Sequence, residues 1–214
     1  MRNLRFLAVV LGALLVPAAA SAQLKLGARL GYAIAGGDAA KGEKMSDGFK
    51  GAIPLQLDVG YAVTKELTVG GFFAYGFGRV GDALKDVCDS VPGVDCSASN
   101  MRIGVQGTFA FEDLNPQFVP WLGFGVGYEW AKLKLSGGGE TVTTTYKGFE
   151  LANLQLGADF KASPQLRFGP FVSYSFGKFS SGSIKGGGID ESGDIDEKAN
   201  HTYLTIGVRG EFGM

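Results

Sequence analysis

Bulky apolar residues recur at every second position through almost everything that follows Gln23, in stretches of about ten residues bounded by turn-forming sequence. Successive side chains of a strand point to opposite faces, so this period predicts strands with two unlike faces and excludes amphipathic helices, whose stripe repeats at about 3.6 residues. Eight strands are predicted, over 24–35, 52–63, 67–78, 100–112, 118–133, 149–161, 166–178 and 201–212. Their connections are short at 64–66, 113–117 and 162–165 and long at 36–51, 79–99, 134–148 and 179–200. Short turns at one rim and long connections at the other predict an all-β fold, an eight-stranded antiparallel up-and-down barrel.

The stretch WLGFGVGYEW, 121–130, places Gly123, Gly125 and Gly127 at alternate positions and is the nearest approach to a cofactor loop. A phosphate cradle needs its glycines in a turn that opens onto a helix. Here the alternation runs on unbroken and no helix pattern follows, so the glycines read as room on one strand face for a neighbour such as Trp121. No cofactor and no resident metal are expected.

Sorted by parity, one face carries Leu57, Val59, Phe73, Val105, Phe124, Leu156, Ile206 and Val208. The other carries Arg29, Asp58, Arg102, Glu129, Asp159, Arg167, Arg209 and Glu211, mixed with glycine, serine and threonine. A soluble ligand-binding barrel would show the same alternation with its apolar face inside. Two features favour the inverted, transmembrane arrangement. An eight-stranded interior is barely wide enough for side chains, and the large aromatics share the apolar face while the polar face is glycine-rich. Aromatics also gather at the strand ends, Tyr32, Tyr75, Phe77, Tyr128, Trp130, Tyr174 and Phe176 toward the long-connection rim and Tyr61, Phe109, Phe111, Phe160 and Phe212 toward the other. Leucine, isoleucine and valine fill the band between, as in a barrel with two aromatic girdles. The eight polar-face charges are then a lumen network in which both signs pair.

The segment MRNLRFLAVVLGALLVPAAASAQ has two arginines, an apolar run from Phe6 to Val16 and small residues at Ala20, Ser21 and Ala22. This is the layout of a secretory signal, with cleavage expected between Ala22 and Gln23, so 1–22 is the signal and 23–214 the barrel domain. In an exported chain Cys88 and Cys96 are expected to form one local disulfide, since no Cys-X-X-Cys spacing suggests a reactive pair. With a formal charge of −1, no nucleic acid partner is expected.

The chain end HTYLTIGVRGEFGM alternates Leu204, Ile206, Val208 and Phe212. It resembles the closing strand and assembly signal of the eight-stranded bacterial outer-membrane β-barrel family that includes the OmpA and OmpX barrels, departing from it by Gly213 and Met214 after the aromatic. The resemblance implies an outer-membrane location, contact with outer-membrane lipid, and recognition by the barrel-assembly machinery during biogenesis. No cell-wall-binding domain is expected after the last strand.

The leading functional reading is a non-enzymatic barrel with a largely plugged, charge-paired lumen and long surface loops, in a structural or surface-interaction role toward an unidentified ligand. The alternatives are a small porin-like channel for small solutes, a rim-site enzyme, and a soluble barrel. His201, the sole histidine, is placed at the long-connection end of the last strand, with no orienting group that spacing identifies. The acidic run 190–197 does not match a calcium loop and is expected to be a solvated, flexible loop. The stretch TVTTTY, 141–146, reads as strand extending beyond the membrane.

Overall fold

A computed structural model of the chain describes residues 23–115 and 117–213. The expected signal segment 1–22, including Ala22 of the cleavage site, lies outside the described residues, as does Met214. Among the described residues ten strands form: β1 Gln23–Ala40, β2 Glu43–Lys44, β3 Phe49–Ala62, β4 Leu67–Val80, β5 Val94–Ala110, β6 Phe118–Gly137, β7 Glu140–Lys161, β8 Leu166–Gly186, β9 Ile189–Asp194 and β10 Asn200–Gly213. Each large strand pairs antiparallel with its sequence neighbour, and β10 pairs with both β8 and β1, which closes a ring of eight with β2 and β9 outside it. The seam runs unbroken from Lys25 opposite Gly213 to Gly37 opposite His201.

At the short-turn rim the polar turn residues hold the backbone. The Thr64 hydroxyl accepts from the Leu67 amide at 3.0 Å, the Ser163 hydroxyl from the Leu166 amide at 3.0 Å, and Asn115 Oδ1 from the Gln117 amide at 2.9 Å.

The opposite rim differs from expectation, because much of the predicted loop is strand. β6 and β7 run up to a two-residue turn at Gly138 and Gly139, whose φ of 61° and 84° is the left-handed pair that such a hairpin demands. The acidic run is likewise not a flexible loop. Its first part is β9, folded onto β8 through the positive-φ turn Gly186–Gly188, with Lys185 Nζ 3.0 Å from Asp190. Backbone pairing, available to any sequence whose turn permits it, overrides the acidic composition. The connection 81–93 contains a helix, Asp82–Ser90, tied to the start of β5 by the Cys88–Cys96 disulfide with a Cα–Cα separation of 6.1 Å.

The barrel is apolar outside and polar inside. Val105 and Ile206 are 60% exposed, whereas Asp159 and His201 are 0% exposed. A belt of exposed leucine, isoleucine and valine of this extent marks a hydrocarbon-facing surface. Edge-on aromatic pairs bound it, Tyr75–Phe77, Tyr128–Trp130 and Tyr128–Phe149 above and Phe109–Phe111 and Phe118–Phe160 below. One expectation is corrected: the large aromatics are not confined to the outer face. Phe49, Phe72, Trp121, Phe171, Phe179 and Tyr203 are buried inside, where glycines on facing strands leave space. A Cβ at Gly157 would collide with the Trp121 ring, so the indole can lie there only over a glycine.

Val208 lies mid-belt on the outer face, opposite Leu30 and Pro170. Val208→Arg should destabilise the barrel by roughly 2–4 kcal/mol. Val208→Leu should leave it unchanged, as read from urea unfolding in lipid vesicles.

Candidate functional site: the barrel lumen

The lumen is built in tiers. At the short-turn rim Glu112 receives Lys161 at 2.6 Å and Arg167 at 2.7 Å, while Glu211 lies 3.4 Å from both Arg167 and Lys25. Burial pushes the Glu112 carboxyl up, but the hydrogen bond from Lys161 and the charge of Arg167 more than reverse this and hold it below the ordinary carboxylate range.

Next is a closed hydrogen-bond circuit across the bore. Arg29 Nε donates to Asp58 Oδ2 at 2.6 Å and Nη1 to Gln155 Oε1 at 2.7 Å; Gln155 Nε2 donates to Gln106 Oε1 at 3.1 Å, and Gln106 Nε2 returns to Asp58 Oδ1 at 2.9 Å. Its members come from β1, β3, β5 and β7. Beside it Arg209 Nε donates to Asp159 Oδ1 at 3.0 Å, and Trp121 Nε1 donates to the same oxygen at 3.1 Å. The Arg209 guanidinium lies 3.5 Å from the centre of the Trp121 ring, so the indole serves as hydrogen-bond donor at its edge and cation acceptor on its face.

In the upper tier Arg102 Nη1 donates to Glu150 Oε1 at 2.8 Å, and Asn153 Nδ2 donates to the same oxygen at 2.9 Å. His201 Nε2 bonds Glu129 Oε1, with the imidazole stacked on Phe179 at 4.0 Å and edge-on to Tyr203. His201 is therefore buried and not an open rim side chain: Phe179 and Tyr203 pack on it, and both belong to an apolar cluster with Ala35, Met45, Phe49 and Ala131. Met45 and Phe49 enter from the first long connection, whose one-turn helix Met45–Gly48 folds into the barrel mouth.

The eight charges singled out from the sequence all lie on the inner face, but their partners divide them. Arg29 meets Asp58, Arg209 meets Asp159 and Arg167 meets Glu211, whereas Arg102 does not bridge Glu129, its cross-strand neighbour. It bridges Glu150, which parity reading missed because a β-bulge between Glu150 and Ala152 inserts one residue into β7. An extra residue exchanges the faces of everything beyond it, so Glu150 and Asn153 both point inward at odd spacing. Nothing in the residue pattern marks such a bulge. Of the residues expected to form the assembly signal, Leu204, Ile206, Val208 and Phe212 all lie on the outer face of β10.

A ring of eight antiparallel strands with a lipid-facing aliphatic belt, aromatic girdles and a charged interior defines an integral outer-membrane barrel. The chain belongs to the outer membrane protein β-barrel domain family, which matches residues 6–212. No curated protein sequence matches it. Among solved structures it is similar to Neisserial surface protein A, at 14% identity over 88% of this chain and 97% of that one with a TM-score of 0.53. It is similar also to a major outer membrane protein from Thermus thermophilus, at 10% identity over 91% and 100% with a TM-score of 0.61. OprG from Pseudomonas aeruginosa matches at 16% identity over 88% and 95%, with a TM-score of 0.50. These likenesses are of fold, and with the family they place the chain in the outer membrane.

Asp159→Ala leaves the Arg209 charge buried without its partner and should cost about 3–5 kcal/mol in unfolding from vesicles. The double change Asp159→Leu with Arg209→Met should recover most of that loss. A depressed carboxyl pKa gives stability that is complete above the ordinary carboxylate range and lost as pH falls through the folded value. Stability measured against pH should therefore fall on acidification, and Glu112→Gln should flatten part of that slope.

Proposed function

We propose that the chain is a closed, surface-exposed barrel of the outer membrane, non-catalytic, with a plugged lumen and a structural or surface-interaction role carried by its outer extensions. The observation that carries this reading is the pair of polar assemblies crossing the bore, the Arg29–Asp58–Gln106–Gln155 circuit and the Arg209–Asp159–Trp121 group, beneath the apolar cluster at the mouth. The pocket bounded by Arg29, Asp58, Gln106 and Arg209 has a volume of about 30 Å³, room for water and not for a solute. Pulling one ion out of such a group leaves its partner buried and uncompensated, so the plug resists opening.

The full burial of His201 under Phe179 and Tyr203 supports a non-catalytic reading, since a base must reach the proton it abstracts. In biogenesis the signal 1–22 is removed between Ala22 and Gln23, and the outward row Leu204, Ile206, Val208 and Phe212 meets the assembly machinery.

One observation favours the porin-like alternative. Among the described residues Asn100 Oδ1, Arg102 Nε, Glu150 Oε2, Asn153 Oδ1, His201 Nδ1 and Tyr203 OH are buried without a hydrogen-bond partner, and all belong to the upper tier. Buried polar atoms seek partners, which suits this level to enclosed water.

Conductance across planar bilayers decides between the readings. The purified protein should give no unitary steps in salt solution, and the triple change Trp121→Gly, Asp159→Gly, Arg209→Gly should raise leak. Regular steps from the unaltered protein would reject the plug.

A further inference from the structure

Above the apolar cluster, at the outer mouth, lies a pocket of about 330 Å³. It is independent of whether the lumen below conducts. Its floor and walls are Met45, Phe49, Ala131, Leu133 and Leu84, drawn from the first connection, β6 and the helix Asp82–Ser90. The volume is at the small end of the range of ligand sites, about 300–1,000 Å³, and so suits a compact molecule.

Both walls are fixed in place. The Gly81 amide donates to the Gly48 carbonyl at 3.0 Å, Lys50 Nζ lies 2.8 Å from Asp82, and the far end of that helix carries the Cys88–Cys96 disulfide. The other side is held by β2 on β1 and by the Lys41 amide donating to the Glu197 carbonyl at 3.0 Å. A site already assembled loses little conformational freedom on binding, which is what separates a receptor from a surface dimple.

The polar lip is asymmetric. Its charged residues are Glu43, Asp47 and Lys44. Lys44 stands across the β1–β2 ladder from Asp38 with no ion pair among the described residues, leaving two carboxylates to one ammonium at the lip, while the neighbouring Lys41 and Lys50 are engaged by Glu197 and Asp82. Among the described residues neither Glu43 nor Asp47 has an ion pair, and Glu43 accepts only a long bond, 3.4 Å, from the Tyr146 hydroxyl. Tyr146 lines the same wall, so a cation at the lip meets two carboxylates and the tyrosine hydroxyl.

We propose that this pocket binds a small, compact apolar molecule bearing one ammonium group, its apolar body on Met45 and Phe49 and its cationic head beside Glu43, Asp47 and Tyr146.

Methyl NMR of the full barrel in lipid nanodiscs, labelled at methionine, tests this with adamantylamine as the probe. Met45 reports from the pocket floor. Met101, opposite Tyr75 and Trp130 in the outer wall, reports on probe dissolved in lipid. The amine should shift the Met45 methyl saturably and leave the Met101 methyl in place. Adamantanol should bind roughly tenfold more weakly, the worth of about one charge-assisted hydrogen bond, and adamantanecarboxylate more weakly still. The pair Glu43→Gln and Asp47→Asn should reduce amine affinity to that of the alcohol, and Ala131→Leu should weaken all three probes. A Met45 methyl that never moves, or one that moves only in step with Met101, overturns the site. Equal affinity for amine and carboxylate on the unaltered protein overturns the cationic head, whichever variants fold.

Discussion

The ladder between β1 and β10 is the contact on which the rest of the molecule depends. A backbone inside hydrocarbon has no water to bond, so every N–H and C=O must find a partner within the protein, and a sheet achieves that only by closing on itself. Residues 25–37 of β1 meet residues 201–213 of β10 without a break, which removes both free edges at once. Closure also gives parity its meaning. Once the ring is shut, each strand must send one set of side chains to lipid and the other to the bore, and slipping a strand by one residue would turn arginines outward.

The bore inherits a problem from that arrangement. Its charges are too deep to be hydrated freely, and they are brought together from distant parts of the chain: Arg29 and Gln155 are 126 residues apart, and Arg209 and Asp159 are 50 apart. Hydrogen-bonded circuits solve it by giving each ion several partners. Asp58 takes bonds from Arg29, Gln56 and Gln106, and Asp159 from Arg209 and Trp121. The upper tier is less complete, and an apolar cap rather than a polar circuit closes it. The two means of closure sit one above the other, and the pocket at the mouth is the surface that the cap presents outward.

Much of this was legible beforehand. The eight strands of the ring, the girdles, and the inward set from Arg29 to Glu211 all follow from period two, because lipid and lumen impose opposite demands on neighbouring residues. The failures share a different cause. Glu150 was hidden by a bulge, β9 by its acidic composition, and the burial of His201 by the entry of Met45 and Phe49 from a connection that has no periodicity to read. Each depends on which distant segment comes to lie against the residue.

By itself the sequence determined the kind of wall: eight strands, which face meets lipid, and which residues line the bore, since these follow from local alternation and the cost of charge in hydrocarbon. Only the tertiary structure decided who pairs with whom inside, where Arg102 turns from Glu129 to Glu150 and Trp121 lies beneath Arg209. Only the tertiary structure, too, made a cap and a pocket from the first connection. Pairing across a closed ring depends on shear, bulges and the space left by glycines such as Gly157, and these are properties of the assembled barrel.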